Sequence, residues 1–459
     1  MRVLALDVGT SSTRAIVHDV DGLPVTEPVE VEWKPLPGGG GRVEFDLQQV
    51  REAVDETVRQ ALRHGDVDAV GASCFWHSLA VVDESGSVVT PLMTWRDSRA
   101  DREAEELARM LDAEAIHRRT GCPIHASFWP AKLLWLRRHE PGLVADSRFV
   151  SVSDVALAEP ATSVSMASGT GLLNRETGAW DEELLGAVGI DARRLPRISD
   201  DGYERDGRTW FPAIGDGAAA NLGSGAVGPT LGGLTIGTSG ALRIVRDDPV
   251  EPPRPGLFQF RLDGRRSVDG GSIADGGLLR KWLSKTLRLP KGEGEEEILA
   301  RPPGCHGLVF LALLGGDRAP GWAPGGAGAV VGLTAETTAV DLRHAALEGV
   351  AFRFAEILER LPEVERLVGS GGTLRKSRAL CQILADALEL PLELPAVEEA
   401  SARGAAVAVL ERLGTFPPPP PAEDVFEPRT ERSDALAAAR SRDRALYRAS
   451  VGGSLLPFP

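Results

Sequence analysis

The chain has little of several things that would mark a particular setting. It holds four cysteines in 459 residues, Cys74, Cys122, Cys305 and Cys381. They lie far apart, so neither a zinc-type pairing nor a disulfide framework is expected, and a reducing, cytoplasmic compartment fits. Cationic charge is in deficit: 51 Lys and Arg stand against 66 Asp and Glu, a formal net charge of −15. That excludes the basic field that nucleic acid or an anionic membrane would need, and leaves any anionic ligand to be held by local groups. No run of about 18 apolar residues suggests a membrane span. The first residues enter a strand pattern directly, without the basic and apolar segments of a signal peptide. The Walker phosphate pattern is missing, and "GSGGTLRKS" has its ingredients at the wrong spacing. "GSGAVG" (Gly223 to Gly228) satisfies a lone GxGxxG, but it follows a helix pattern rather than a strand, which makes it a poor dinucleotide signal.

What is present is a globular composition, 42% apolar and 25% charged, with length for two or three domains. Two stretches about half a chain apart repeat one pattern. "LALDVGTSSTRAIVHDVDG" is a strand, a turn of Gly and hydroxyls, and a returning strand. "GGLTIGTSGALRIVRDD" does the same, and Gly9-Thr10-Ser11 and Gly237-Thr238-Ser239 occupy the same point of it. Hydroxyls and free backbone N–H groups in a tight turn can wrap phosphate oxygens. One such turn alone reads as a plain hairpin; two in register favour a nucleotide gripped from both sides. Asp7, just ahead of the first turn, is placed to hold Mg²⁺, a hard cation that takes oxygen ligands.

Around these turns the pattern alternates strands and helices. Residues 1–33 read as a meander turning at Asp21-Gly22, and 46–65 as a helix stopped by Gly65. Helices are expected over 98–118 and, strongly amphipathic, over 128–139. A small-residue helix starts at "GDGAAANLG", and "EEASARGAAVAVLERLG" is the last clear helix. "TFPPPPPAEDVF" reads as a surface connector and the acidic run Glu293–Glu297 as a solvated face. Asp154 reads as a helix-start residue, and Trp129 and Trp135 as packing groups. Two similar halves divide near Gly228-Pro229, with a cleft between them as the natural small-molecule site.

Seven segments in series carry a resemblance: "DVGTSSTR", "TPLMTWRDSRA", "SMASGTGLLN", "FPAIGDGAAANLGSG", "TIGTSGALR", "GSGGTLRKS" and "EASARGAA". The chain resembles the FGGY family of carbohydrate kinases, in the superfamily of actin, hexokinase and the heat-shock chaperone ATPases. The resemblance implies an α/β chain of two ribonuclease H-like (actin-like ATPase) domains, 1–228 and 229–459, with a central interdomain cleft. It implies ATP and Mg²⁺ as cofactors and a small-molecule sugar or sugar acid as partner. The oligomeric state stays open, a homodimer among the alternatives. Asp216 in "IGDGAAAN" matches the catalytic base, its flanking glycines leaving room for a substrate; its bland alternative is helix capping. Asp7 matches the metal position. Gly9, Thr10, Ser11 and Arg14 match the first phosphate segment, and Gly237 and Thr238 the second. Gly371 and Gly372 match the turn against adenosine, with Ser377 nearby and Ser401 and Gly404 toward the base. His77, Trp95 and Asp97 match the sugar pocket.

Segments 150–163 and 195–211 are short for the family, which bears on substrate choice more than on ATP. Within the family the motifs are most similar to gluconokinases. A sugar acid would find hydroxyl partners in His77, Ser78, Trp95 and Asp97, and a cation in Arg96 or Lys132. A xylulokinase-like pentulose kinase, a chaperone-like ATPase and a non-catalytic sugar-binding relative are the alternatives.

Overall fold

The apolar runs that open the two halves become the central strands of two seven-stranded sheets. The computed structural model describes residues 1–144, 147–247, 251–323 and 326–451. Asp248 of the second repeat and residues 452–459 of the second expected domain therefore lie outside the described residues. In the first sheet β1 (Val3–Val8) runs antiparallel to β2 (Ser12–His18), which pairs with β3 (Val29–Glu32). β4 (Ala69–Cys74) lies parallel to β1 on its other side, and β5 (Tyr203–Arg205), β6 (Arg208–Trp210) and β7 (Ile214–Gly215) complete the sheet. The second sheet repeats the plan: β8 (Gly228–Ile236) is antiparallel to β9 (Gly240–Asp247) and parallel to β12 (Arg366–Ser370). β10 (Phe258–Arg261) and β11 (Arg266–Ile273) extend one side, β13 (Leu392–Pro395) and β14 (Ala422–Phe426) the other.

Parallel strands need helical crossovers, and these cover the sheets. α1 (Leu47–Ala61) starts on Asp46, whose carboxylate accepts from the backbone of Gln48 and Gln49. The expected stretch 98–118 is two helices, α2 (Asp101–Met110) and α3 (Ala113–Thr120), because Asp112 caps the second afresh. α4 (Trp129–His139) is buried almost all round rather than amphipathic, Lys132 included. Asp154 closes a capping box with Ser151, as a helix-start residue should. Trp129 is core, while Trp135 stacks under Arg99 and against His139.

The two halves interlock through α5 (Asp216–Ser224) and a second small-residue helix from the far end of the chain, Ala400–Arg412. The latter buries Ala405, Ala406, Val409 and Leu410 with Val3, Ala5 and Ala69 of the first sheet. The helices cross at glycines: a Cβ at Gly404 would collide with the Ala219 carbonyl, and one at Gly223 with that of Ala400. Gly404 is thus a packing contact, not a base-facing residue. Arg403 beside it is 3% exposed and donates to the carbonyls of Gly22, Gly223 and Pro418, tying one turn, one helix end and the Pro-rich segment together.

Two expectations change here. The Pro-rich connector runs into strand β14, and a further helix, Ser433–Val451, follows it. The acidic run is a solvated face only in part: Glu296 and Glu297 are exposed, but Glu293 and Glu295 pair with Arg343, which is 2% exposed. A buried guanidinium has to be matched by carboxylates, and these supply the match.

Candidate functional site

The hairpin turns between β1 and β2 and between β8 and β9 face one another across a cavity of about 240 Å³. Each is tightened by its glycine, Gly9 N–H donating to Ser12 O and Gly237 N–H to Ser239 O, both at 3.0 Å. Asp7, Gly9, Thr10, Ser11, Arg14 and Trp95 line the cavity from the first half, with Asp216. Gly237, Thr238, Ser239, Thr235 and Arg243 line it from the second, with Ser401. Motifs separated by more than 200 residues thus meet at one place.

Asp7, one residue before the end of β1, lies opposite Ser73 of β4, whose hydroxyl donates to its Oδ1. Burial lifts its pKa to about 6, with Asp216 adding to the rise and Ser73 and Arg14 opposing it. Arg14 pairs with Glu30 at 2.7 Å and Glu399 at 3.5 Å, so its charge is shared with those acids. Asp216 is the first residue of α5. Gly215 is the cap, and the Asp216 carboxylate accepts from Gly217 N–H at 2.8 Å. Burial raises its pKa; the Arg243 guanidinium is the main opposing influence. Arg243 is itself lowered to about 10 by burial, and its Nε has no hydrogen-bond partner among the described residues. The glycines around Asp216 are explained by packing: a Cβ at Gly215 would strike the Trp76 indole, and one at Gly217 the indole and Arg243. Trp76 and Arg243 fill the space beside the two glycines, while Asp216 and Gly217 line the cavity.

The glycine turn also joins the site through a neighbour. Gly371 (φ +95°) presses on the Ile236 backbone, and Thr373 Oγ1 donates to Gly237 O at 3.1 Å. Helix Gly277–Thr286 begins on the same turn, Gly277 N–H donating to Gly237 O and Leu278 N–H to Thr238 O. Gly372 opens the short helix Gly372–Arg375, and a Cβ there would meet nothing within 4 Å. Ser377 lies apart: it is 2% exposed, caps Arg378–Leu388 and donates to Glu295, so its hydroxyl is spent.

The sugar-pocket residues divide. Trp95 reaches the cleft. His77 (φ +67°) lies between Phe128 and Phe260, ring centroids 4.8 and 5.5 Å away, and burial lowers its pKa to about 3. Its Nδ1 faces Gly169 O and must carry the proton, which leaves Nε2 an acceptor. Asp97 does not face a ligand: it is 1% exposed and accepts from Val43 N–H and from Arg99. Ser78 is likewise internal, its hydroxyl accepting from Val152 N–H. Lys132, with a pKa lowered to about 7 by burial, donates to the carbonyls of His77 and Thr94 and so builds the pocket wall rather than meeting a substrate.

The sequence reading missed Arg318. Its guanidinium lies 4.5 Å from the Trp95 ring centroid and donates to Trp95 O and Ser127 Oγ, both at 3.0 Å. Arg96 sits 5.8 Å from the same ring, and together with burial it lowers the pKa of Arg318 to about 10. His125, stacked edge-on to Trp322 at 5.2 Å, accepts at Nδ1 from Ser127 N–H, so Nε2 is a donor. No local pattern announces Arg318 or His125; they converge through the fold.

Among the described residues, one group has metal-ligand geometry, His306, His344 and Glu348. His306 Nδ1 accepts Leu308 N–H, so its Nε2 carries the proton toward Glu348, and the cluster reads as internal hydrogen bonding.

Residues 2–205 match the model of the FGGY family of carbohydrate kinases, N-terminal domain, and 232–410 that of its C-terminal domain. A gluconokinase of Bacillus subtilis (strain 168) is 27% identical over 452 residues, spanning 90% of this chain and 88% of its own. A glycerol kinase of Methylobacterium radiotolerans is 30% identical over 449 residues, spanning 88% of each. Solved structures of a gluconate kinase and a ligand-bound xylulose kinase, both from Lactobacillus acidophilus, superpose with TM-scores of 0.88 at 24% identity, covering 99% of each chain. These last two speak for the fold alone.

Proposed function

The chain belongs to the FGGY family of carbohydrate kinases, and from that premise we propose that it phosphorylates D-gluconate with ATP, Asp216 serving as general base. As an ATP-dependent carbohydrate kinase it transfers the γ-phosphoryl group of ATP to a polyol hydroxyl and releases ADP, and the domains we assign to binding polyol and nucleotide are 1–228 and 229–459. The observation that carries the proposal is the single cleft lined by both hydroxyl turns, Asp7, Asp216 and Trp95.

Phosphoryl transfer asks the protein for alignment, charge neutralisation and a proton acceptor. The turns at 9–12 and 237–239 hold the phosphates through backbone N–H groups and hydroxyls, with Gly371 and Gly372 toward the adenosine. The acceptor hydroxyl attacks the γ-phosphorus, the bond to the β-phosphate oxygen breaks, and the hydroxyl proton passes to an Asp216 carboxylate oxygen. Burial raises the pKa of that carboxylate, and the Arg243 guanidinium opposes the rise. An all-oxygen donor set at Asp7 suits Mg²⁺, which when bound supplies neutralisation of the phosphate charge. His77 Nε2 and His125 Nε2–H offer an acceptor and a donor to sugar hydroxyls.

The preference for a sugar acid rests on Arg96 and Arg318. Two guanidiniums gathered on one indole repel each other, and a carboxylate between them relieves that repulsion. A reducing, cytoplasmic setting is part of the proposal; all four cysteines are free. Among the described residues no helix is long and apolar enough to cross a membrane. The test is kcat/KM for D-gluconate against D-xylulose, ribulose and glycerol. A neutral polyol preferred by about tenfold or more overturns the gluconate reading and leaves the kinase standing. Arg318→Met is expected to cost gluconate about 10- to 100-fold in kcat/KM while sparing neutral acceptors.

A further inference from the structure

The segment 317–323 has two faces. One meets the first half, where Arg318 holds Trp95 and Ser127 and Trp322 packs on His125 and Phe128. The other borders a second cavity, about 470 Å³, walled by helices Ala339–Leu358 and Ser433–Val451.

Arg353 lines that cavity and is 3% exposed. Its guanidinium lies over the Tyr447 ring at 4.3 Å, and its Nε and Nη1 have no hydrogen-bond partner among the described residues. Asp443 lines the same cavity, is 2% exposed, and its Oδ1 has no hydrogen-bond partner among the described residues. Behind that wall Asp317 accepts from Tyr447 OH at 2.6 Å and Ala323 N–H at 3.0 Å through Oδ2, and so fixes Tyr447 and the segment. The nearby acids Glu356 and Glu359 are already matched by Arg440 and Arg444. Arg360 and Arg448 add two more cations to the wall.

Buried charges are expensive to leave without hydrogen bonds, and here donors and acceptors of opposite kinds converge without meeting one another. The complement is a molecule with an anionic group for the arginines and hydroxyl donors for the Asp443 carboxylate. Asp443, lifted by burial to about 6 against the pull of Arg353, can accept from or donate to such hydroxyls near neutral pH.

We propose that this cavity is a regulatory site for a small polyhydroxylated anion, its phosphate or carboxylate on Arg353 and its hydroxyls on Asp443, sensed by the sugar cleft through segment 317–323. It does not depend on which acceptor the kinase prefers.

The test is calorimetry on the full chain with the catalytic cleft filled by a non-hydrolysable ATP analogue. The probes are sn-glycerol 3-phosphate and D-glycerate, the shortest phosphorylated and carboxylated members of the class, with inorganic phosphate as the hydroxyl-free control. At least one hydroxylated probe is expected to bind one to one and more tightly than inorganic phosphate; the tighter of the two names the head group. Arg353→Gln is expected to weaken binding about tenfold or more, and Arg448→Gln, on the exposed rim, about two- to threefold. Asp443→Asn serves where Arg353→Gln does not fold. Basal kcat of these variants stays within about twofold, while the saturating probe shifts the sugar KM of the parent by about threefold or more and leaves KM in Arg353→Gln unmoved. No binding by either probe, binding untouched by these substitutions, or binding with an unaltered sugar KM overturns the proposal.

Discussion

The two hairpin turns share a backbone and differ in charge. Two residues before its glycine the first turn has Asp7, and at that point the second has Thr235. Each is paired with a serine on the neighbouring parallel strand: Ser73 donates to Asp7, and Thr235 Oγ1 shares a 2.9 Å hydrogen bond with Ser370 Oγ. The asymmetry extends outward. Beyond the turn the first half contributes the second acid, Asp216, while the second half contributes the cation Arg243 to it. One fold used twice thus supplies an acidic wall, suited to a metal ion and a proton, and a hydroxyl and cationic wall, suited to phosphate oxygens.

The largest break in that comparison is Asp216→Asn. Losing a general base costs about 10²–10⁴-fold in rate, so kcat is expected to fall by that much while MgATP binding, followed by calorimetry, stays nearly intact. A near-normal kcat removes Asp216 from the role. Its partner across the cleft should matter less: Arg243→Met is expected to lower kcat by about 10-fold. Because Arg243 holds the Asp216 pKa down, the acid limb of the pH–kcat profile should also move to higher pH.

The halves are joined at a crossing that tolerates no side chain. Gly404→Val puts bulk against the Ala219 carbonyl, where the partner is helix backbone and cannot rotate away. Overpacking of this kind costs about 1–3 kcal/mol, read as a lower Tm, with a Leu388→Met change, in the core of the second half, as the volume-conserving control that stays near the parent.

The turns and Asp216 were legible in the sequence because each needs a short run of special residues. Backbone donors crowd only where Gly, Ser and Thr follow one another, and the helix start under Trp76 admits only glycine on either side of Asp216. What escaped was set by distant pairing. Arg318 stands in a loop with no motif and becomes a candidate only because the second half folds against Trp95. Asp97 and Lys132 match pocket segments, but their partners, Arg99, Val43 and the carbonyls of His77 and Thr94, turn them into wall rather than surface. Glu293 and Glu295 depart from the solvated reading of the acidic run for the same reason, since their partner Arg343 is some 50 residues onward and buried. The late strand Ala422–Phe426 was hidden by five prolines that cannot donate to a ladder, although the chain pairs with Leu392–Pro395 as soon as they end.

The finest comparison sets Ser73→Ala against Ser370→Ala. Asp7 titrates at about 6, well above an ordinary carboxylate, because burial outweighs the Ser73 hydrogen bond. The form that holds a cation is the ionised one, so KM for MgATP is expected to rise as pH falls through 6. Removing the Ser73 hydroxyl takes away an influence that lowers this pKa, so the rise should begin at higher pH, by up to about one unit. The same change leaves a buried anion less well solvated. A raised carboxylate pKa means that stability falls as pH climbs from about 4 through 6. Ser73→Ala should therefore lower Tm more at pH 7.5, where Asp7 is ionised, than at pH 5, where it is largely protonated. Ser370→Ala removes a hydroxyl from a neutral pair and Thr235 does not titrate, so its KM profile should follow the parent's and its Tm change should be flat across that range. Equal pH dependence in the two variants would mean that the acid at the first turn is not what separates the two halves.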